Sequence, residues 1–536
     1  GTMANRHVVW PDYTMIIVAA ILSGFTLLLF FLEKSWESHT NLDAKQAFYT
    51  GSIGTEFAPL PVIAALPKLF PEEFMPLGPD KGDWMEQFGF IRRDDSPLPL
   101  GMTVSSHRPQ SASPSPVLFV GVGCGTCHTG EIVTAEGKRT QIPGMGNYGL
   151  DVPAWFEAFR SSLLAKDDKG DYRLTISKVE QANGENLGLA ERAVVYIWLR
   201  VLRNVLVGGL TRNDYPYPAE TRFNSLFHPA GPGRTNPFSN LLRAALDLPN
   251  RSITQNREIS AYTKIPAVYR EDRRVWAQFD GSIRNLNSRS ALAAMTVGAT
   301  PENLSNAEIS RNIIMATDYT RHVQPPGFTE ATGVSIDTTQ AVAGKSVYRE
   351  YCFTCHGMPD DNGTWQPGER MGKRVKADEL GVDAERVSIR HAVTLASTLF
   401  NRFGPEFEKR YNRTHPLAFT EDEIRPKSSD EQGYINAPIE GAYSRAPYLH
   451  NASIMTLAEL INLIPRRESF PRGRNLYDTQ NVGLAPQTNS TAGLSFIYDT
   501  KRVGNSNQGH NFPWAYAESG RNEEELRNLL EYLKTL

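Results

Sequence analysis

All four cysteines of this 536-residue chain fall in two copies of one pattern, Cys-x-x-Cys-His. The first is Cys124-Gly125-Thr126-Cys127-His128 and the second is Cys352-Phe353-Thr354-Cys355-His356. This is the attachment signal of c-type haem, in which two thiols close in sequence add to the haem vinyl groups and the adjacent His reaches the iron. The other uses of paired cysteines fit less well. A zinc ribbon sets its two pairs about 15–20 residues apart, whereas more than 200 residues separate these. A thioredoxin-like redox pair needs a βαβ context that neither motif has. Simple disulfides give no reason for a His after each second Cys. The expectation is two covalently bound c-type haems, with His128 and His356 as proximal ligands.

The chain is long enough for two or three domains. Its formal net charge of −3 and its even spread of charge leave no basic stripe for nucleic acid and no acidic tail. Abundant Gly and Pro point to a loop-rich protein. Near the N-terminus, Thr14 to Leu32 is an uncharged run of 19 residues, long enough to span a bilayer and longer than a signal-peptide core. No small-x-small cleavage site follows it. Arg6 before the run and Trp10, Tyr13 and Trp36 at its ends suit a single-pass anchor. A cleaved signal is the alternative. Either reading exports the rest, which agrees with c-type attachment outside the cytoplasm and with the lack of spare Cys. The expected location is the periplasmic side of a bacterial inner membrane.

Four segments follow from composition: an anchor over 1–36, an exported preface and Ser/Pro loop over 37–115, an N-terminal haem domain over 116–330 and a C-terminal cytochrome c-like haem domain over 331–536. Val117 to Val122 reads as a strand running into the first motif, and Gly121, Gly123 and Gly125 would let the backbone approach a flat cofactor. Leu187 to Val207 reads as a long helix, with Leu189, Ala193, Tyr196, Ile197, Leu199 and Leu202 among its apolar residues. Before the second motif, Val342, Val347, Tyr348 and Tyr351 are spaced as one helix face. Asn522 to Leu536 reads as a terminal amphipathic helix with Leu526, Leu529, Leu530 and Leu533 inward and Glu523, Glu524 and Glu525 in its first turn. The predicted fold is mainly α and loop-rich, with two cytochrome c-like haem domains behind an N-terminal transmembrane helix.

What each haem can do depends on the opposite side of its iron: two strong protein ligands make an electron carrier, one open face can take oxygen or peroxide. Beyond the proximal pair and the N-terminal His7 and His39, the candidates are His107, His228, His322, His391, His415, His450 and His510, with Met145, Met295, Met358 and Met455. Local context singles out two stretches, Ala446-Pro447-Tyr448-Leu449-His450-Asn451 and Gly504-Asn505-Ser506-Asn507-Gln508-Gly509-His510.

With the two haem motifs, these stretches resemble the dihaem cytochrome c peroxidase superfamily. Typical dihaem peroxidases carry a Met ligand downstream of the Pro-Tyr-x-His element, where this chain has Ile464. The closer resemblance is to the rubber oxygenases and the dihaem fatty-acid dioxygenases, which share both stretches. The first haem loop (Cys124 to Gly130 with Ile142-Pro143-Gly144-Met145), Gly231-Pro232-Gly233-Arg234 and Trp276 to Gly281 are looser matches. The resemblance covers about 116–536 and implies His510 as the distal ligand of the second haem. It implies His450 as a supporting residue that bonds a propionate or fixes the loop. In many relatives a Trp before the Asp-Gly lies between the haems. Here that place is Phe279, with Trp276 three residues earlier, and Phe is harder to oxidise.

The resemblance further implies a haem-dependent dioxygenase that adds O2 across a carbon–carbon double bond of an apolar substrate, a polyisoprenoid or unsaturated lipid. The reaction would take place at the first haem (Cys124, Cys127, His128), with Trp276 and Phe279 beside it and Met145 the nearest candidate sixth ligand. The second haem (Cys352, Cys355, His356, His510) would pass electrons, from a periplasmic donor if one is used. Two alternatives stay open: a peroxidase using hydrogen peroxide, with Gln278, Asp280 or Glu302 as acid–base group, and a membrane-anchored electron-transfer cytochrome.

Overall fold

The computed structural model describes residues 41–94, 96–211, 230–235, 262–281, 283–387, 433–488 and 496–536. The apolar run Thr14–Leu32 lies outside them, as do His228, His391 and His415. Among the described residues no helix is long and apolar enough to cross a membrane. The longest, Leu189–Thr211, carries Glu191, Arg192, Arg200 and Arg203. Helix takes 39 % and strand 16 %, so the expected fold is corrected on two points: it is mixed α and β rather than mainly α, and no helix among the described residues is long and apolar enough to cross a membrane. The strands come from the Gly- and Pro-rich stretches, which close as short antiparallel hairpins instead of remaining loops. Apart from one three-stranded sheet, every sheet among the described residues has two strands.

The first half begins with α1 (Ala44–Thr50), started by an Asp43/Gln46 capping box. Strand β1 (Ala58–Pro59), β2 (Met102–His107) and β3 (Pro114–Val122) form the sheet, with β3 in the centre. The Ser/Pro stretch 106–116 is thus the turn of a hairpin, and the expected boundary at 115/116 falls inside β3. The strand predicted over 117–122 is present within it.

From β3 the chain enters α2 (Cys124–Cys127) and the hairpin of β4 (Thr129–Val133) and β5 (Arg139–Pro143). After the helices Val152–Leu164 and Ile176–Asn183 comes α3 (Leu189–Thr211), whose buried residues are Val195, Leu199 and Leu206. Leu189, Tyr196 and Ile197, expected in the apolar set, face outward at 90 %, 56 % and 60 % exposure. The half closes with α4 (Leu286–Thr296) and α5 (Ala307–His322), the latter lying along α1.

The second half follows the expected pattern more closely. Helix α6 (Thr338–Tyr351), N-capped by Asp337, leads to α7 (Phe353–His356), and the terminal helix α8 (Glu523–Leu533) crosses α6. A Cβ at Gly344 would lie 1.9 Å from the Asn528 carbonyl oxygen, so only glycine allows the two backbones this close. Leu526, Leu529, Leu530 and Leu533 are buried as predicted. One apolar core runs through both halves: Ile132, Ile142 and Tyr148 share it with Tyr443, Tyr477 and Leu529.

Candidate haem sites

In the second motif, α6 delivers Cys352 and α7 turns the two cysteines and His356 to one side. The His356 amide donates to the Cys352 carbonyl at 3.0 Å. His356 Nδ1 donates to the Ala437 carbonyl at 2.7 Å, which fixes the ring and leaves Nε2 as the ligating nitrogen. Opposite stands His510, its ring centre 6.2 Å from that of His356 with the planes 51° apart. An iron between two imidazoles, with metal–nitrogen bonds of about 2 Å, sets ring centres about 6 Å apart.

The loop around His510 is braced so that this placement is held. Its φ of 52° lies in the left-handed region, a strained conformation that persists only when neighbours impose it. Arg466 donates to the carbonyls of Asn507 and Gly509 at 2.6 and 2.8 Å, and the His510 amide donates to Leu380 at 2.8 Å. Asn505 accepts from Arg234 at 2.7 Å, Asn507 donates to the Arg467 carbonyl at 2.8 Å, and Asn451 donates to the carbonyls of Gly504 and Ser506 at 3.1 and 2.9 Å. The asparagines of both distinctive stretches are the scaffold of one loop. Burial, with the neighbouring His356 and Arg466, pushes the His510 imidazole down to about 3, so it is neutral and fit to donate to a metal. Its Nδ1 is buried and meets no protein partner.

His450 serves elsewhere. Its ring stacks on Tyr434 with centres 4.2 Å apart, and Nε2 meets the Tyr434 hydroxyl at 2.9 Å. Burial, then Arg386 and Lys264, pushes it down to about 3. Its backbone carbonyl accepts from the Lys264 amide at 2.8 Å, so it joins the two halves.

At the first motif the three glycines fit against protein. A Cβ on Gly123 would lie 2.6 Å from the Gly101 carbonyl oxygen, on Gly125 2.9 Å from Tyr49 Cδ1, and on Gly121 2.8 Å from Thr103 Oγ1. All three positions thus serve close packing of sheet and helix. His128 Nδ1 donates to the Pro266 carbonyl at 2.9 Å, the same tether as in the second motif. Burial, then Arg289, pushes His128 down to about 4. Burial raises the thiols of Cys124, Cys127 and Cys352 to about 11, 12 and 12, and raises Cys355 as well. Reactive redox pairs have depressed thiols instead.

No family model matches the chain. Two Sinorhizobium fredii proteins are similar to it. One, y4iJ, is 24 % identical over 94 % of this chain and 91 % of its own length. The other, y4iM, is 27 % identical over 53 % of this chain and 67 % of its own. Both are described only as uncharacterized proteins.

The remaining expected residues lie as follows. Trp276 sits between the guanidinium groups of Arg284 and Arg374, 5.1 and 5.3 Å from its ring centre. Phe279 accepts from the Ile435 amide through its carbonyl at 2.8 Å. Their loop therefore docks on the second half. Met145 is fully buried against Gly130 with Ile142 in the shared core. Sequence reasoning missed the buried pair of Arg289 and Glu271, bidentate at 3.0 and 2.6 Å, because Glu271 stands in the charged run Glu-Asp-Arg-Arg that reads as surface. Among the described residues no group of three or more His, Cys, Asp or Glu is placed to hold a metal ion. The expectation of metal binding by side chains is corrected accordingly. One imidazole at the first motif and two at the second are too few to hold a bare ion.

Proposed function

We propose that the chain is a dihaem c-type oxidoreductase with unequal haems. The observation that carries this reading is the 6.2 Å facing of His356 and His510 across a site flanked by Cys352 and Cys355. Cys352 and Cys355 would hold the second haem, His356 and His510 are the residues that would bind its iron, and it would supply electron transfer. Cys124, Cys127 and His128 would hold the first, which would supply an iron able to bind O2 and so the reaction site. The substrate class is an apolar molecule with a carbon–carbon double bond, by the resemblance of the Ala446–Asn451 and Gly504–His510 stretches to rubber oxygenases and dihaem fatty-acid dioxygenases. The Pro266 carbonyl holds His128 in one tautomer, and the buried Arg289–Glu271 pair fixes the charge beside it. The periplasm is the compartment that suits this chemistry.

Ferrous spectra with and without carbon monoxide test the proposal, followed by oxygen uptake with polyisoprene or an unsaturated lipid. Carbon monoxide should shift the spectrum of one haem, and oxygen uptake should depend on the olefin. Absence of any carbon monoxide shift would leave only an electron carrier. Peroxide turnover without oxygen uptake would make the protein a peroxidase.

A further inference from the structure

Helix α3 carries apolar residues on two sides, and the fold covers one of them. Val195, Leu199 and Leu206 point into the core. Side-chain bonds fix the roll of the helix in that orientation. Trp198 Nε1 donates to the Phe57 carbonyl at 2.9 Å, and Arg203 donates to the carbonyls of Leu163 and Leu174 at 2.9 and 2.7 Å. The opposite side holds Leu189, Ala193, Ile197, Val201 and Val205, each four residues after the last. That spacing makes one continuous ridge along a helix. Leu189, Ile197, Val201 and Val205 are 90 %, 60 %, 56 % and 62 % exposed, and Tyr196 on the flank is 56 % exposed. Ala193 is exposed as well.

Apolar residues scattered singly over a surface are ordinary, but a ridge of five is not. With Tyr196 the ridge exposes roughly 700 Å2, more than the largest apolar patch of most monomers and close to what each partner gives to a standard protein–protein interface. Its chemistry suits protein better than lipid. Arg200, about one turn along from Ile197, and Asn204 stand on the same side and are exposed. Arg and Tyr are enriched at protein interfaces, whereas a helix lying in a bilayer keeps its charges on the polar face. The ridge is also complementary to itself. A twofold axis through Ile197 sets Leu189 of one copy against Val205 of the other, and Ala193 against Val201, the bulkier against the smaller in each pair. Arg200 then falls level with Val194, so the axis brings no like charges together.

We propose that the outward ridge of α3, centred on Ile197, is the interface of a symmetric dimer of this chain. The proposal does not depend on the haem assignment.

Sedimentation equilibrium of the full chain tests it. Wild type should run at twice the mass of one chain. Ile197→Glu should raise the dimer dissociation constant by about a hundredfold or more, because the axis sets the two new carboxylates against each other. Ile497→Glu changes an equally exposed residue, 60 %, on the strand Phe496–Asp499 and should leave the mass unchanged. Circular dichroism checks that both variants fold. Ile197→Cys gives a second measurement that adds no charge: a short bismaleimide should join two copies of this variant, and should not join wild type, which controls for the four native cysteines. A monomeric wild type would overturn the proposal, and so would a dimer that folded Ile197→Glu leaves intact. A monomer that binds phosphatidylcholine–phosphatidylglycerol vesicles through Ile197 would give the ridge to lipid instead.

Discussion

His510 sits in a backbone conformation that its side chain does not favour, held by Arg466 and the Leu380 carbonyl. In the haem-loaded protein, His510→Ala should convert one low-spin signal to high-spin, read by visible and electron paramagnetic resonance spectra. An unchanged low-spin signal would remove His510 as a ligand. Glu271 gives a second prediction. Burial pushes its carboxyl up, but Arg289 more than offsets this and holds it at about 2, below the ordinary 4.5. The carboxylate is thus more acidic folded than unfolded. Its stabilisation, about 3 kcal/mol for such a shift, is complete above pH 4.5 and fades as pH falls toward 2. Glu271→Gln should be destabilised at neutral pH, and the gap in denaturant midpoint should close across that window. The residues of the two Cys-x-x-Cys-His motifs were legible in the sequence because the pattern is local and uses every cysteine of the chain. Glu271 was not, because nothing local distinguishes a buried carboxylate from a solvated one until its Arg partner, far along the chain, is placed beside it.

Helices α6 and α8 show what a period can reveal. The leucine spacing of α8 was readable, since that helix buries one stripe, but the face predicted before Cys352 was not: Tyr348 is buried while Val342 is 73 % exposed, and the buried stripe of α6 is Ala341, Gly344 and Tyr348. The crossing of the two helices was not readable either, yet it depends on Gly344 meeting the Asn528 carbonyl. Gly344→Val should force the helices apart and cost more than about 3 kcal/mol, seen as a fall in thermal midpoint together with a disturbed second-haem spectrum. Helix α3 shows the limit. Its existence was readable, but Leu189, Tyr196 and Ile197 lie on the outward face while Val195, Leu199 and Leu206 face in. Apolar residues surround this helix, so hydropathy alone could not choose the buried side. The short hairpins escaped because two- to five-residue strands offer too few alternations to register against Gly and Pro.

Across the whole molecule, the two motifs belong to halves that share one apolar core and exchange side-chain bonds. Tyr148 donates to the Asn475 carbonyl at 2.9 Å, and Arg472 donates to the carbonyls of Tyr148 and Pro232, both at 3.1 Å. A boundary at 330/331 was legible as a change of composition, but it falls inside the helix Phe328–Thr332. Calorimetry should therefore show the two halves melting in one transition, and two well-separated peaks would contradict the shared core. The same core bears on how the chain matures. Ile132 and Tyr148 find their apolar neighbours in residues made hundreds of positions later, and synthesis proceeds at about 5–20 residues per second. For tens of seconds the thiols of the first Cys-x-x-Cys-His stay on an unfinished surface, and under the proposed function that is when haem would be joined to them, before the last helix seals the structure.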